Sequence, residues 1–455
     1  MHPRMLRDDM NGIELRDDDA TRRAFGHDES DQGDFLPELV AFPTSADEVQ
    51  RVVRACVKHR VPVTPAGART GKSGGVLPVQ GGLSLSLTKL NRIVAIRPED
   101  LTATVQPGVV LGDFQRAVEE AGLFYPPDPN SAPTCTLGGN IACNAGGPSA
   151  LKYGVTRDYV LGLEWVLPSG ELVRTGRQTM KGVVGYDLTA LFVGSEGTLG
   201  IATEITVKLL PRPPVVMTAL LPFTEVAAAA RAVSAILQGG VLPKCLELLD
   251  DVALQAIKGQ GVPFHDDANA VLIVELDGSS EEGVFADLNR VAGLAKQHGS
   301  LDAQLAVDRD QRDRIWATRR LVSPALRALK KMKFSEDIVV PRSKIPEAIE
   351  RFKAIGARLG LTVATYGHAG DGNLHTNVLY ASVDERPRVD AALAEIMRET
   401  VAMGGTLSGE HGVGLAKQQF VALEQSAPLI ALQRQLKALL DPACLFNPGK
   451  LFPRE

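Results

Sequence analysis

Gly67-Ala68-Arg69-Thr70-Gly71-Lys72-Ser73-Gly74-Gly75 is the stretch on which the fold assignment turns. Its glycines, lysine and serine suggest the phosphate loop of nucleotide-binding folds, but the spacing is wrong. That loop needs four residues between its glycines, and here only Ala68, Arg69 and Thr70 intervene. It must also run directly into a helix, which Gly74-Gly75-Val76-Leu77-Pro78 cannot continue because proline lacks the amide and clashes with the preceding turn. No GxGxxG opens a helix after a first strand either, so a Rossmann site is not expected. What remains is a turn exposing successive backbone N–H groups, with the Thr70 and Ser73 hydroxyls as further donors for a pyrophosphate. A second loop, Ser131 through Gly147, offers the same chemistry. Two such loops near one sheet suit an extended, phosphate-containing cofactor. Tight turns alone would explain either loop equally well.

Working outward, Ser45-Ala46-Asp47-Glu48 is a capping box, followed by Val49, Val52, Val53 and Cys56 at helical spacing. Short alternating runs near 61–65, 83–87, 101–105, 161–167 and 200–209 read as strands, with a helix over 111–121. Pro211-Arg212-Pro213-Pro214 is the clearest break and marks the main domain boundary. Beyond it, strands near 216–221, 270–276, 336–341 and 361–367 alternate with amphipathic helices near 225–238, 281–298, 309–330, 343–359 and 385–403. That texture predicts helices on one face of a sheet, an α+β class. The expected divisions are a partly ordered polar arm over 1–36, a first domain over 37–212, a second over 213–440, and a strip over 441–455 returning to the first.

Length and composition agree with this outline. At 455 residues the chain should hold two domains, or one large domain with an insertion. Its 44% hydrophobic and 23% charged content is ordinary for a globular enzyme. A net charge of −5 gives no reason to expect nucleic acid, and 5% aromatic residues argue against single-strand stacking platforms. No apolar run has the length of a transmembrane helix, and the first thirty or so residues, rich in both Arg and Asp, resemble no targeting segment. Five dispersed cysteines without CxxC spacing suggest a reducing compartment. A cytoplasmic protein is expected, peripheral to a membrane at most through a partner.

Chemistry concentrates in Gly367-His368-Ala369-Gly370-Asp371-Gly372-Asn373-Leu374-His375 and in Gly409-Glu410-His411-Gly412. A two-residue turn on Asp371-Gly372 would place His368 directly opposite His375. Side chains paired in this way sit about 5 Å apart at Cβ, close enough to share one metal ion. Glu410 would serve as a third ligand and His411 as a nearby base. A polar turn whose histidines bond only to the backbone is the bland alternative.

Taken together, these segments resemble the FAD-linked oxidases of the vanillyl-alcohol oxidase and p-cresol methylhydroxylase superfamily. Within it they are most similar to D-lactate dehydrogenases, flavin-binding glycolate oxidase subunits and D-2-hydroxyglutarate dehydrogenases. The resemblance spans residues 36 to 453. It is carried by Pro65 to Gly75, Pro127-Asp128-Pro129, Leu137-Gly138-Gly139-Asn140, Asn144-Ala145-Gly146-Gly147 and Lys152-Tyr153-Gly154. Gly194-Ser195-Glu196-Gly197-Thr198-Leu199-Gly200-Ile201, Glu336-Asp337-Ile338-Val339-Val340-Pro341, the two histidine motifs and Asn447-Pro448-Gly449-Lys450 complete it.

The resemblance implies a two-domain α+β protein, with a PCMH-type FAD-binding fold and a ferredoxin-like substrate cap. FAD would be held non-covalently, because the first loop has no histidine for a flavin link. Pro65, Gly67, Thr70, Gly71, Lys72, Ser73 and Gly74, with Ser131, Leu137, Gly138 and Asn140, would carry the pyrophosphate. Gly146, Gly200 and Ile201 would line the isoalloxazine or adenosine parts, and Asn447 would approach the flavin from the C-terminus. Arg69 and Lys72 stand where relatives more often carry small or apolar residues. In metal-dependent members His368, His375 and Glu410 match zinc or manganese ligands, and His411 matches the base. Arg319 and Asn377 match substrate contacts, the arginine offering a planar fork to a carboxylate.

The implied reaction oxidises a D-2-hydroxy acid, D-lactate or glycolate foremost, to the 2-oxo acid. A metal-bound hydroxyl would be acidified, and a hydride would pass to flavin N5. The sequence leaves open the order of these events and a carbanion route from the C2 proton. D-2-hydroxyglutarate is the alternative substrate, and an ether-forming alkylglycerone-phosphate synthase type is the non-redox rival. A flavin-free metal hydrolase would use the same ligands. The expected partners are an electron acceptor (a quinone, a cytochrome, an electron-transfer flavoprotein or an iron–sulfur protein) and a second copy of the chain in a homo-oligomer such as a dimer.

Overall fold

The computed structural model of the chain describes residues 3–260, 264–306 and 308–453. It divides into two compact units. The first runs to Gly146, resumes over Val155–Arg212 and takes up the chain again from Glu410; the second holds Gly147–Gly154 and Pro213–Gly409. The returning stretch therefore begins well before residue 441, and the short piece 147–154 sides with the second unit.

In the first unit the Ser45 side chain accepts from Glu48 N at 3.2 Å and opens helix Ala46–His59. The helix buries Val49, Val52, Val53 and Cys56 in the core of a four-stranded sheet. Its strand order is Glu14–Arg16, Leu39–Phe42, Leu83–Ser86, Val63–Ala66, the last three running parallel. The segment before Pro37 also contributes to this sheet. Glu14–Arg16 pairs antiparallel with Leu39–Phe42, and Leu6, Met10 and Ile13 are buried in the same core. These three apolar residues recur every three or four positions among the charges, and that stripe is what ties the arm down.

The same sheet also receives the end of the chain. Val63 forms a parallel bridge with Phe446, and Asn447 N donates to Val63 O at 2.7 Å. A second sheet of this unit is antiparallel, in the order Ile93–Arg97, Thr102–Val105, Ile201–Lys208, Val160–Val166, Leu172–Gly176.

The second unit is built on a seven-stranded antiparallel sheet. Its order is Gln304–Ala306, Val215–Phe223, Ala270–Gly278, Cys245–Leu249, Thr362–His368, Asn373–Tyr380, Met332–Val339. Helices Val226–Gln238, Glu281–Gln297, Ile345–Arg358 and Arg386–Ala402 pack together on one side. Gly356 allows the close approach there, since a Cβ on it would lie 2.5 Å from Val363 Cγ2. Ala364 and Tyr366 point the other way and meet Ile315, Val322 and Leu326 of helix Arg309–Lys330, beside helix Asp251–Ile257. The sequence texture predicts helices on one face; both faces are covered. Among the described residues no helix is long and apolar enough to cross a membrane.

Candidate functional site

The second unit carries the histidine hairpin. Its register pairs His368 with Asn373 and Tyr366 with His375, so the two histidines are diagonal rather than directly opposed. The loop spans four residues instead of two. Asp371 explains the difference: its carboxylate accepts from Asn373 N at 3.1 Å, an Asx-type turn, while Asp371 N and Gly372 N both donate to His368 O. The imidazoles still converge, because residues 368, 373 and 375 share one face. Their ring centroids are 5.1 Å apart at 83°, with ring nitrogens within 4.8 Å. Both histidines are buried.

That face becomes polar toward one end, beneath helix Arg309–Lys330. Glu247 lies on it in the otherwise apolar strand Cys245–Leu249 and is fully buried. One of its oxygens meets His368 Nδ1, and the other accepts from Arg319 Nε at 2.9 Å, with Nη2 at 2.6 Å. Burial works to raise the Glu247 pKa, but the His368 and Arg319 charges and hydrogen bonds outweigh it and hold it at about 2. Arg319 is itself buried and lies 4.7 Å over the Tyr366 ring, which in turn tilts against His375 at 5.6 Å. Asn377 is fully buried; it accepts from Lys333 Nζ at 3.1 Å and donates to His375 O at 2.9 Å.

Asp337 ties the two glycine-rich motifs together. One oxygen accepts from Asn373 Nδ2 of the hairpin at 2.6 Å, and the other from Ser408 Oγ and Gly409 N, each at 3.0 Å. A Cβ on Gly409 would collide with Asn373 Nδ2 at 2.3 Å, so this contact requires glycine. Glu410 is the next residue in the chain and the first of the run that returns to the first unit.

In the first unit the glycine loops converge on one another. A Cβ on Gly67 would lie 2.3 Å from Thr136 Oγ1, and one on Gly197 would lie 2.5 Å from Pro65 Cγ. Thr136 caps the short helix Leu137–Cys143, whose Gly139 N would lie 3.8 Å from the same Cβ on Gly67, while Gly138 is packed against Pro107 and Asn140 is buried. Ser131 turns the chain just before it, its carbonyl accepting from Cys135 N at 2.8 Å. Gly200 has φ +142, and a Cβ there would strike the Trp165 indole, so strand Ile201–Lys208 starts from a backbone only glycine allows. Asn447 donates to Gly75 O and to Glu196 O, both at 2.7 Å.

The basic side chains of the first loop turn aside. The Arg69 guanidinium lies 4.2 Å over Phe25, and Lys72 pairs with Glu29 at 2.8 Å. Thr70 and Gly71 remain half-buried, and Ser73 and Gly74 are buried. The segment holding His411 is fastened to the same loops. Glu196 accepts from Val413 N at 2.7 Å and Gly414 N at 2.8 Å, and Ser73 O accepts from Leu415 N at 2.8 Å and Ala416 N at 3.0 Å. Gly146 is bare where Glu410 passes: a Cβ there would lie 3.1 Å from Glu410 Oε2. Burial pushes the Glu196 carboxyl up to about 6, against the two amides and the Lys450 and Lys417 ammoniums.

This unit fits a large polar cofactor by a simple criterion. Ser195 Oγ is buried without a hydrogen-bond partner among the described residues, and buried Asn140 Nδ2 meets nothing stronger than the Cys135 thiol, donors of the kind a phosphate- and carbonyl-bearing ligand satisfies. In sequence Glu196 and Asp337 stand out only as parts of motifs, and Glu247 does not stand out at all. A lone glutamate inside the apolar run Cys245-Leu246-Glu247-Leu248-Leu249 is the signal that could have found it, because a buried charge has to be paired.

Comparison with known proteins places the chain in a family. The family described as FAD linked oxidases, C-terminal domain, matches residues 212–451, and the FAD binding domain family matches residues 37–176. The chain is 43% identical over 442 residues to glycolate oxidase subunit GlcD of Bacillus subtilis (strain 168), covering 96% of this chain and 94% of that protein. It is 35% identical over 444 residues to a D-lactate dehydrogenase of Anaerostipes hadrus, covering 95% and 93%. Among solved structures, p-cresol methylhydroxylase with substrate bound shares the fold at a TM-score of 0.83 and 20% identity, over 99% of this chain and 96% of that one. With both of its halves matched and relatives aligned end to end, the chain belongs to the FAD-linked oxidases, flavin-dependent oxidoreductases with a PCMH-type FAD-binding fold.

Proposed function

We propose that this protein oxidises a 2-hydroxy acid of the D-lactate or glycolate type to the 2-oxo acid, using FAD and a divalent metal, zinc or manganese. The observation that carries the reading is the buried imidazole pair, with His368 Nδ1 engaged by Glu247. A histidine oriented through one ring nitrogen by a carboxylate is the usual setting for metal binding through the other. The names of the relatives, a glycolate oxidase subunit and a D-lactate dehydrogenase, support the substrate class.

When bound, the metal acidifies the substrate hydroxyl and FAD takes up the two electrons. His368 would hold the metal through Nε2, with His375 and Glu410 as the other ligands. His411, as a neutral imidazole, takes the hydroxyl proton. Arg319 meets the substrate carboxylate with the edge not turned to Glu247, and Asn377 holds the floor of the site through His375 O. The loops at Pro65 to Gly74, Ser131 to Asn140, and Gly200-Ile201 would hold the flavin, together with Gly146 and Asn447. The two electrons would leave to an acceptor protein or small molecule: a quinone, cytochrome, electron-transfer flavoprotein or iron–sulfur protein.

Anaerobic flavin bleaching with a panel of D- and L-2-hydroxy acids, with and without chelator, tests the reading. D-lactate or glycolate should bleach the flavin and chelator should stop it. His411→Ala should keep its yellow colour and bleach slower by roughly 10²–10⁴-fold. Bleaching by L-acids only, indifference to chelator, or normal bleaching in His411→Ala would each remove the corresponding part.

A further inference from the structure

Glu247 has a role that stability does not explain. A fully buried carboxylate between a guanidinium and an imidazole loses much of its hydration, and apolar side chains of similar size often replace such triads at no cost in stability. The strand around it is Cys245, Leu246, Leu248 and Leu249, all buried, so Glu247 is the one polar side chain in an apolar strand. The triad also reaches across the unit, joining strand Cys245–Leu249 to the end of strand Thr362–His368 and to the middle of helix Arg309–Lys330.

Each oxygen of Glu247 has one task. Oε1 meets His368 Nδ1, which fixes the ring tautomer and aims Nε2 at the space shared with His375. Oε2 accepts from Arg319 Nε and lies 2.6 Å from Nη2 in an ion pair, and the guanidinium lies over the Tyr366 ring. One rigid side chain thus orients two groups with different ligands.

We propose that Glu247 is a positioning residue that fixes His368 as a metal ligand and Arg319 as the clamp for the substrate carboxylate, so that both affinities depend on one carboxylate. The inference rests on the ligand reading of His368 given above. The isosteric Gln keeps the shape and removes the charge. It can no longer accept from both His368 and Arg319.

The full-length flavoprotein, stripped of metal, is titrated with zinc against a chromophoric chelator, and KM for D-lactate is measured on the reloaded enzyme. Glu247→Gln should weaken zinc binding about 10- to 100-fold and also raise KM, with flavin content unchanged. Arg319→Met should raise KM while leaving zinc affinity within about twofold, since a metal contact is not its task. If the uncompensated Arg319 charge keeps Glu247→Gln from folding with its flavin, Glu247→Gln/Arg319→Met removes both charges and should still weaken zinc. Zinc affinity within about twofold of the parent in the folded variant overturns the His368 half. An unchanged KM overturns the Arg319 half. His368→Ala separates the two levels: if it too keeps its zinc, the ligand reading itself falls, and Glu247 with it; if it loses zinc while Glu247→Gln does not, only the Glu247 proposal falls.

Discussion

Glu247 in the second unit and Glu196 in the first are both buried, yet their surroundings treat the charge in opposite ways. Around Glu247, burial favours the neutral acid but His368 and Arg319 override it, and the carboxyl falls to about 2. Around Glu196, burial wins over two backbone amides and two lysines that act at longer range, and the carboxyl rises to about 6. Burial sets the scale of the effect; what touches the oxygens sets its sign. A guanidinium and a ring N–H make a fixed charge suited to orienting ligands. Amides make a fastening suited to holding a loop.

Asp337 offers the largest test of that contrast. The donors from Asn373, Ser408 and Gly409 are neutral, like the amides on Glu196, but there are three of them, and they join two motifs. Asp337→Ala strands these donors and should cost on the order of 4 kcal/mol, with flavin bleaching by substrate lost. Denaturant unfolding followed at Trp316, in the second unit, measures the first, and a variant within 1 kcal/mol or so of the parent would show that Asp337 fastens little.

The pH dependence of stability sharpens the comparison most directly. The Glu247 pKa is depressed, so its contribution is present above about pH 4.5 and lost as pH falls toward 2. The amount is on the order of 3 kcal/mol, and it should be absent in Glu247→Gln. The Glu196 pKa is raised, so the sign reverses. Its contribution is greatest below about pH 4.5 and declines as pH climbs through 6, by roughly 2 kcal/mol. Unfolding curves between pH 3 and 7, parent against each Gln variant, should diverge in opposite directions; the same direction for both would break the distinction. The smallest effect belongs to Lys72. Its pair with Glu29 is exposed, so Lys72→Ala should shift stability by no more than about 0.5 kcal/mol and leave FAD affinity, read from flavin fluorescence, nearly unchanged.

The parts of the molecule that announce themselves in sequence are those with local causes. Ser45-Ala46-Asp47-Glu48 caps its helix because the bond closes within three residues, and Pro211-Arg212-Pro213-Pro214 breaks the chain through its own backbone limits. The histidine pair was legible because a hairpin with either a two- or a four-residue loop keeps 368 and 375 on one face. The register was not, since it depended on which backbone amide the Asp371 side chain would take. Glu247 was illegible for a different reason: its partners lie 72 and 121 residues away, and nothing in Cys245–Leu249 says where they will arrive. The ordered arm hid behind its charges, because Leu6, Met10 and Ile13 count only once there is a core to receive them.

The bridge between Val63 and Phe446 has a consequence in time rather than space. During synthesis these two residues emerge roughly 20 to 80 seconds apart at ordinary translation speeds. The edge that Val63 offers, and the loops that Asn447 fastens, wait that long for their partner. The sheet that Val63 begins is thus completed by a segment made long after it, and the order of synthesis leaves that edge open in the meantime.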